Sequence, residues 1–351
     1  MDKPQQILIV GQGLAGTLLS YQFLTHNIEH KVVDNHHANS STLAAAGLVN
    51  PITGRRYVKS WMIDELLDFA KPIYRGLERL LDIKLVTHLE VIRSLQNVSQ
   101  ENLWNTATSR PGYNEYASDN DSAGSYTGFV NQRFAYRRIK QALQVNVSEL
   151  IKAYRLFLQE KDMLIDDDFN FSFKPKMNEF SLYNSRFSHI VFCEGYKAVE
   201  NPFFNYLPFQ PSKGESFELE IHGLIPMEIL RDEIFLVPMG ENRIWSGGGY
   251  AWKYDDDFPS EKFSAEWTKK LDDLLMAEYR INTHRAGVRP SVKGRRPLLG
   301  KHPLYERLII FNGLGTKGTS LGPYFANHLY EYLFEDGQLL NEVNIQRFDV
   351  K

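Results

Sequence analysis

Glycines spaced as GxGxxG leave backbone N–H groups open to a phosphate, and this chain of 351 residues carries two such runs, one near each end. The first is Gly11-Gln12-Gly13-Leu14-Ala15-Gly16. Gly11 permits a tight strand-to-helix turn, Gly13 has no side chain to block a pyrophosphate, and Gly16 lets a helix pack closely on a sheet. A helix N-terminus adds free donors and a partial positive charge. Asp34, with Asn35 beside it, closes the next apolar run, where a carboxylate can accept hydrogen bonds from a ribose 2′-hydroxyl. The second run is Gly313-Leu314-Gly315-Thr316-Lys317-Gly318, followed by Thr319. It is not a P-loop, because no Gly-Lys-Ser or Gly-Lys-Thr occurs in it.

The surrounding elements decide what these glycines can do. Ile7–Val10 is continuously apolar, as a parallel strand buried on both faces must be. Leu14, Leu18 and Tyr21 then repeat at helical spacing up to about Thr25, and Lys31-Val32-Val33 is a second strand. Leu308-Ile309-Ile310-Phe311 leads into the second glycine run, and a helix is expected from about Leu321 to Phe334. If both strands share one sheet, both helix N-termini point to one edge. One would hold a pyrophosphate, and the other would place positive potential at a second part of the same cofactor. A flavin ring gains negative charge at N1 and O2 when reduced, whereas a nicotinamide has no such need. FAD is therefore expected rather than NAD.

Between these ends the chain predicts further elements. Ser40-Ser41-Thr42-Leu43-Ala44-Ala45-Ala46-Gly47-Leu48-Val49-Asn50 is small and then apolar. It fits either a capped helix start or a backbone passing close to a planar ligand. Met62, Leu66, Phe69, Ile73, Leu77 and Leu80 draw one helical stripe across Pro72. From His88 to Tyr136 the sequence is aromatic and turn-rich, with short strand-like pieces. Ser148 is the expected cap of a helix over Glu149–Lys161. His189–Cys193 is another buried strand, ending in Glu194-Gly195. Ile234–Pro238 and Arg243–Tyr250 read as a hairpin, and the glycines Gly247-Gly248-Gly249 imply that something approaches that backbone closely. A helix is expected over Ser264–Glu278. The fold class predicted is α/β, α+β overall. It consists of a Rossmann-like FAD-binding domain with a parallel sheet (1–85, 140–200 and 285–351) and a second, mainly antiparallel β substrate domain (86–139 and 201–284).

Composition bounds the alternatives. Hydrophobic residues make up 43% and aromatics 13%, enough for a sizeable core. The net charge of -3 gives no bulk attraction to nucleic acid or anionic membrane. Cys193 is the one cysteine, so no intrachain disulfide or cysteine-built metal site can form, and the simplest compartment is a reduced, cytoplasmic one. No secretory signal or membrane span is expected, because no apolar run approaches roughly 18 residues.

The chain resembles the superfamily of FAD-dependent D-amino-acid oxidase, glycine oxidase and sarcosine oxidase. The resemblance is carried in order by Gly11–Gly16 with Asp34, Ala44–Leu48, Phe192–Gly195, Lys213-Gly214-Glu215, Gly287–Pro290 with Arg296–Gly300, and Gly313–Gly318. The last stretch is also similar to the oxidase domain of the bifunctional enzyme that matures the tRNA wobble uridine. The resemblance implies that Gly11, Gly13, Leu14, Ala15 and Gly16 bind the FAD pyrophosphate and that Asp34 and Asn35 meet the adenosine ribose. It implies that Thr42, Ala45, Ala46, Gly47 and Leu48 line the flavin, and that Glu194 and Gly195 also lie at the cofactor. Gly313, Leu314, Gly315, Thr316, Lys317, Gly318 and Thr319 would cap its pyrimidine edge. Members with covalent flavin use a cysteine near the C-terminus, and this chain has none there, so non-covalent FAD is implied. Arg289 falls on the arginine that binds a substrate carboxylate, and Lys317 on a second cation. Asn50 joins the candidate catalytic residues. So does Tyr250, for which a pocket wall and a core position stay open, as for Trp252. The family pattern puts an aspartate between Arg-Pro and the next proline. Here Lys293-Gly294-Arg295-Arg296 stands in that stretch.

The expected activity is oxidation of a C–N bond in a small amine or amino acid, with O2 or another electron acceptor taking the electrons. Two alternatives are oxidative processing of a modified tRNA wobble base and a flavin-binding subunit without turnover. The net charge counts against nucleic acid. A homo-oligomer is left open.

Overall fold

The computed structural model describes residues 6–35, 40–177 and 179–349. Its helices are α1 (Leu14–Thr25), α2 (Ile63–Leu81), α3 (Val98–Thr108), α4 (Val147–Glu160), α5 (Glu261–Leu274) and α6 (Gly318–Phe334). Its strands form two main sheets. The first runs Leu298–Lys301, Leu308–Asn312, His189–Phe192, Ile7–Val10, His30–Val33, Leu164–Ile165. Its pairings are parallel except for the first two strands, which are antiparallel. The strands leading into the two glycine runs flank His189–Phe192 and point the same way, so both runs leave one edge of this sheet.

The second sheet is mainly antiparallel and includes Tyr279–Arg289, Ser212–Ile221, Ile244–Gly247, Phe235–Pro238, Ile229–Arg231, Val86–Leu95 and Ala135–Val145, with Leu48–Val49 at its far side. Val86–Leu95 and Ile229–Arg231 pair in parallel within it. The strands Ala135–Val145 and Tyr279–Arg289 belong whole to this sheet, although the expected domain limits at 140 and 285 fall inside them. The expected architecture, a parallel sheet beside a mainly antiparallel one, is what the chain adopts.

α1 and α6 cover one face of the first sheet and pack on each other with leucines of α1 set against glycines of α6. A Cβ at Gly318 would lie 3.1 Å from Leu14 Cδ2, and one at Gly322 only 2.5 Å from Leu18 Cδ1. Leu14, Leu18, Leu19, Phe23, Leu321 and Phe325 then share one buried cluster with Ile7, Ile9, Val191, Ile309 and Phe311 of the sheet. Cys193 is buried in the same cluster, as a small hydrophobe.

Several element limits differ from those the sequence suggests, for local reasons. Asn146, not Ser148, caps α4, because its Oδ1 accepts the Glu149 N–H at 3.2 Å and starts the helix two residues early. Ser260 caps α5, its Oγ accepting the Phe263 N–H at 3.2 Å, so that helix also begins early. α6 starts at Gly318 rather than Leu321, which makes Gly318 and Thr319 its first turn. α3 lies in the stretch that reads as strands and turns. It is capped by Asn97 and buries only Trp104 and Ala107, so its apolar stripe is too thin to show in the sequence. The hairpin forms as expected, but its second strand ends at Gly247.

Asn146→Ala should lower stability by about 0.5–2 kcal/mol, the usual cost of a lost cap. Denaturant titration with an unchanged midpoint would show that α4 needs no side-chain cap.

Candidate active site

The first glycine run forms a cradle that is closed on the protein side and open on the other. Gly11 has φ +98°, and a Cβ there would stand 2.7 Å from the Cys193 carbonyl oxygen. A Cβ at Gly16 would collide with the Gly11 carbonyl. Gly13, which caps α1 with no side-chain bond, is different. The nearest atom to a Cβ there is Thr42 Oγ1 at 3.7 Å. Space for a phosphate therefore remains beside Gly13, next to donors at the start of α1. Leu14 fills the joint with α6, while its N–H reaches Thr42 Oγ1 at 3.3 Å; Ala15 follows in the first turn.

Asp34 is held from two sides. Its Oδ2 accepts the Gln12 N–H at 2.8 Å, and its Oδ1 accepts Arg155 Nη1 at 2.8 Å. Arg155 also bonds Asp166 at 2.8 Å. Its side chain is buried, and no motif marks it, because it reaches across from α4. Asn35 donates its side-chain amide to Asp168.

The segment from Ser40 to Asn50 ties the antiparallel sheet to the start of α1, where Thr42 Oγ1 accepts the Leu14 N–H. Ser40 bridges Val288, and the Ala44 carbonyl accepts Trp245 Nε1 at 2.9 Å and Ser216 Oγ at 3.2 Å. The Ala46 carbonyl accepts Gln144 Nε2 at 3.2 Å, and Leu48 pairs with Gln144. Gly47 has φ +67°, and a Cβ there would collide with the Val145 carbonyl. The glycine at 47 is thus demanded by the protein's own backbone. Ala45 is half-buried and Ala46 buried.

The second glycine run is fixed by Asn312, whose side chain donates to the Gly195 carbonyl at 2.9 Å and accepts the Gly313 N–H at 2.7 Å. This joins the two loops at the same sheet edge. Gly313 has φ +75° and is packed by Val292, with 2.8 Å from a Cβ to Cγ2. Gly315 is more open, the nearest atom to a Cβ being Ser291 Cα at 3.9 Å. Leu314 is buried, Thr316 is exposed, and the Thr319 carbonyl accepts the buried Tyr74 hydroxyl at 2.8 Å. Gly195, at φ +60°, has nothing within 4 Å of a Cβ position. Glu194 accepts Asn201 Nδ2 at 2.6 Å, and burial pushes its carboxyl up to about 7.

Lys317 caps α6 and donates to Ser60 Oγ at 3.1 Å, and Ser60 Oγ donates to the Asn50 carbonyl at 2.9 Å. Asn50, Ser60 and Lys317 therefore form one connected line. Ser60 has no motif that would single it out. Burial lowers the Lys317 pKa, and Arg296 and Arg295 lower it further.

Arg289 ends its strand opposite Ser212, and its guanidinium fills the space above Gly214, where a Cβ would collide with it. It donates to the Gly249 carbonyl at 3.0 Å and lies 4.7 Å from the Tyr250 ring centroid. It forms no ion pair with any Asp or Glu among the described residues. What approaches the glycine-rich backbone is therefore the chain itself: Arg289 at Gly249, and Trp245 beside Gly247. Tyr250 and Trp252 are stacked at 6.3 Å and are 57% and 59% exposed, so neither is a core residue. The loop bearing them is pinned by reciprocal 2.9 Å bonds between Lys213 and Ala251 and by Glu215, which accepts the Ser260 N–H at 2.8 Å and His284 Nε2 at 2.9 Å.

Two open helix N-termini at one edge of a parallel sheet, with an unpaired arginine on an adjoining antiparallel sheet, define a flavin-dependent oxidoreductase scaffold. The chain belongs to the FAD dependent oxidoreductase (DAO) family, whose model matches residues 6–332, and FAD is its cofactor. Its fold is similar to that of glycine oxidase from Bacillus cereus ATCC 14579, at 14% identity, with 95% of this chain and 96% of that one covered and a TM-score of 0.80. It is also similar to L-proline dehydrogenase from P. horikoshii (14% identity, 97% and 96% covered, TM-score 0.74). A third similar structure is iminodiacetate oxidase from Chelativorans sp. BNC1 (16% identity, 98% of each chain covered, TM-score 0.72). No helix among the described residues is long and apolar enough to cross a membrane.

Glu194 makes a pH-dependent contribution. Its carboxyl is raised from an ordinary 4.5 to about 7, so the fold favours the protonated acid. The stability this gives is complete below the ordinary value and is lost as pH rises through about 7. Melting temperature should therefore fall less between pH 5 and pH 8 in Glu194→Gln than in the parent. Equal slopes would place the Glu194 carboxyl in water.

Proposed function

We propose that the protein oxidises the C–N bond of a small amine or amino acid, with non-covalently held FAD, and that Arg289 anchors a substrate carboxylate. The observation that carries this reading is the state of Arg289. One donor is spent on the Gly249 carbonyl, burial lowers its pKa, and no acid among the described residues pairs with it. An arginine so held keeps its charge and offers a planar fork that a carboxylate can fill bidentately.

In this reading Gly13 and Thr42 would hold the pyrophosphate and Asp34 the ribose. The segment from Ala45 to Leu48, Gly195 and Gly313–Thr319 would hold the flavin. When bound, FAD supplies the two-electron acceptor for the hydrogen leaving the carbon next to the amine nitrogen. The chain's own residues do the positioning. Arg289 fixes one end of the substrate, and Tyr250 lies against that guanidinium. Lys317 adds a fixed positive charge held by Ser60 and Asn50. The imine product would hydrolyse in water, and O2 or another acceptor would take the electrons. Glycine oxidase and iminodiacetate oxidase, named among the similar folds, act on substrates of this kind.

The purified protein should be yellow and release FAD on denaturation. Anaerobic mixing with a panel of amines and amino acids should bleach the flavin with at least one of them. Arg289→Lys should keep FAD bound but raise the substrate concentration for half-maximal bleaching by about tenfold or more, since the lysine keeps the charge and loses the fork. Equal half-saturation in parent and variant would remove Arg289 from the substrate.

A further inference from the structure

The turn that follows Arg289 carries a second group of cations, and no acid among the described residues pairs with them. Arg296 lies with its Cζ 4.0 Å from the Trp61 ring centroid, and Trp61 stacks on Phe325 at 5.7 Å and 10°. Lys317 Nζ is held 3.1 Å from Ser60 Oγ. Ser60 and Trp61 are consecutive, so one dipeptide before α2 fixes both cations. Ser60 is itself fixed, its N–H donating to the Pro51 carbonyl at 2.7 Å. Gly294 at φ 90° and Arg295 at φ 56° make the left-handed turn that presents this group, and the Arg295 N–H bonds the Val292 carbonyl at 2.9 Å. A non-glycine residue in that conformation is uncommon and marks a turn that the surroundings enforce.

Arg295, Arg296 and Lys317 form no ion pair among the described residues. Elsewhere in the chain some arginines are paired and some, such as Arg93 and Arg231, hydrogen-bond only carbonyls among the described residues. The buried or half-buried Arg133, Arg137, Arg138 and Arg155 are paired with Asp232, Glu101, Glu228 and Asp34. Both arginines of the turn disfavour the charge on Lys317, in addition to its burial. Holding like charges together is a cost that a bound anion removes.

This group is close to Arg289. Ser291 Cα lies 3.9 Å from a Cβ position on Gly315. Arg289 is two residues before Ser291, and Lys317 is two residues after Gly315. Chain geometry therefore keeps their Cα atoms within about 20 Å, before either long side chain extends. That bound is a span that two long cationic side chains and a small dianion between them could bridge.

We propose that the substrate carries a second anionic group, a carboxylate or a phosphate, which binds to Arg296, Arg295 and Lys317 while Arg289 takes the first. This rests on the reading of Arg289 given above and names the substrate class: an amine or amino acid that is a dianion apart from its amine. Arg296 is the principal contact, because its guanidinium plane is already fixed on Trp61, and a planar guanidinium pairs bidentately with both anions.

The test uses the FAD-loaded protein and unreactive probes, followed by perturbation of the bound flavin's absorbance. The probes are butyrate, glutarate and 3-phosphonopropionate. Glutarate or 3-phosphonopropionate should bind about tenfold or more tightly than butyrate, as a charged hydrogen bond implies. The preferred one of the two identifies the second group as carboxylate or phosphate. In Arg295→Gln/Arg296→Gln the preference over butyrate should disappear, with butyrate affinity and FAD content unchanged. Arg295→Gln alone, at an exposed position, should lower the preference without risk to folding. In the parent, dianion affinity should fall more steeply with added salt than butyrate affinity. Equal binding of the three probes by the parent, or a preference that survives in the double variant, overturns the proposal. Failure of the Arg289 reading looks different: butyrate affinity is then the same in parent and Arg289→Lys.

Discussion

The site depends on two helices that meet with glycine on one side of the joint. Leu14 rests on Gly318 and Leu18 on Gly322, so the first turns of α1 and α6 come together at one edge of the parallel sheet. Larger residues at 318 and 322 would push the helices apart and separate their N-termini. The same economy holds at the strand ends, where Gly11 and Gly16 let the α1 turn lie against Cys193 and the sheet. Each of these glycines serves protein packing, and the open space beside Gly13 and Gly315 is what such packing leaves for a ligand. The positive ends of both helices then act on that space together.

A second constraint sets the other wall. The segment from Ser40 to Asn50 is bonded to the antiparallel sheet through Val288, Trp245, Ser216 and Gln144, and to the start of α1 through Thr42, whose Oγ1 accepts the Leu14 N–H. The antiparallel sheet therefore cannot drift away from the cofactor edge. It brings Arg289 with it, in the space that Gly214 leaves. Two chemistries meet at this junction: phosphate binding from helix ends and carboxylate binding from an unpaired arginine. The basic turn after Arg289 extends the second.

Much of this was legible in the sequence because it depends on local pattern. The apolar runs Ile7–Val10 and Leu308–Phe311 could only be buried strands, and the glycine spacing after each could only turn into a helix. What the sequence hid depends on distant partners. Arg155 meets Asp34 across 121 positions, and Ser60 meets Lys317 across 257. Neither pair has a spacing to recognise. Gly47 and the glycines at 247–249 were visible as oddities, but their cause lies in Val145, Trp245 and Arg289. Helix limits shifted wherever the capping residue was one of several nearby candidates, as with Asn146 and Ser148. α3 escaped notice because it buries little.

Family membership, the helix joint and the charge pattern converge on one arrangement. In the proposed arrangement a single FAD would extend from the start of α1 to the start of α6, and an anionic amine would bind between Arg289 and the Lys317 group. The most direct measurement is a crystal structure of the FAD complex soaked with glutarate. The account predicts the pyrophosphate beside Gly13, the flavin's pyrimidine edge at Gly313–Lys317, and one glutarate carboxylate on Arg289 with the other on Arg296. A flavin ring directed away from α6, or a glutarate that leaves Arg289 untouched, would contradict it.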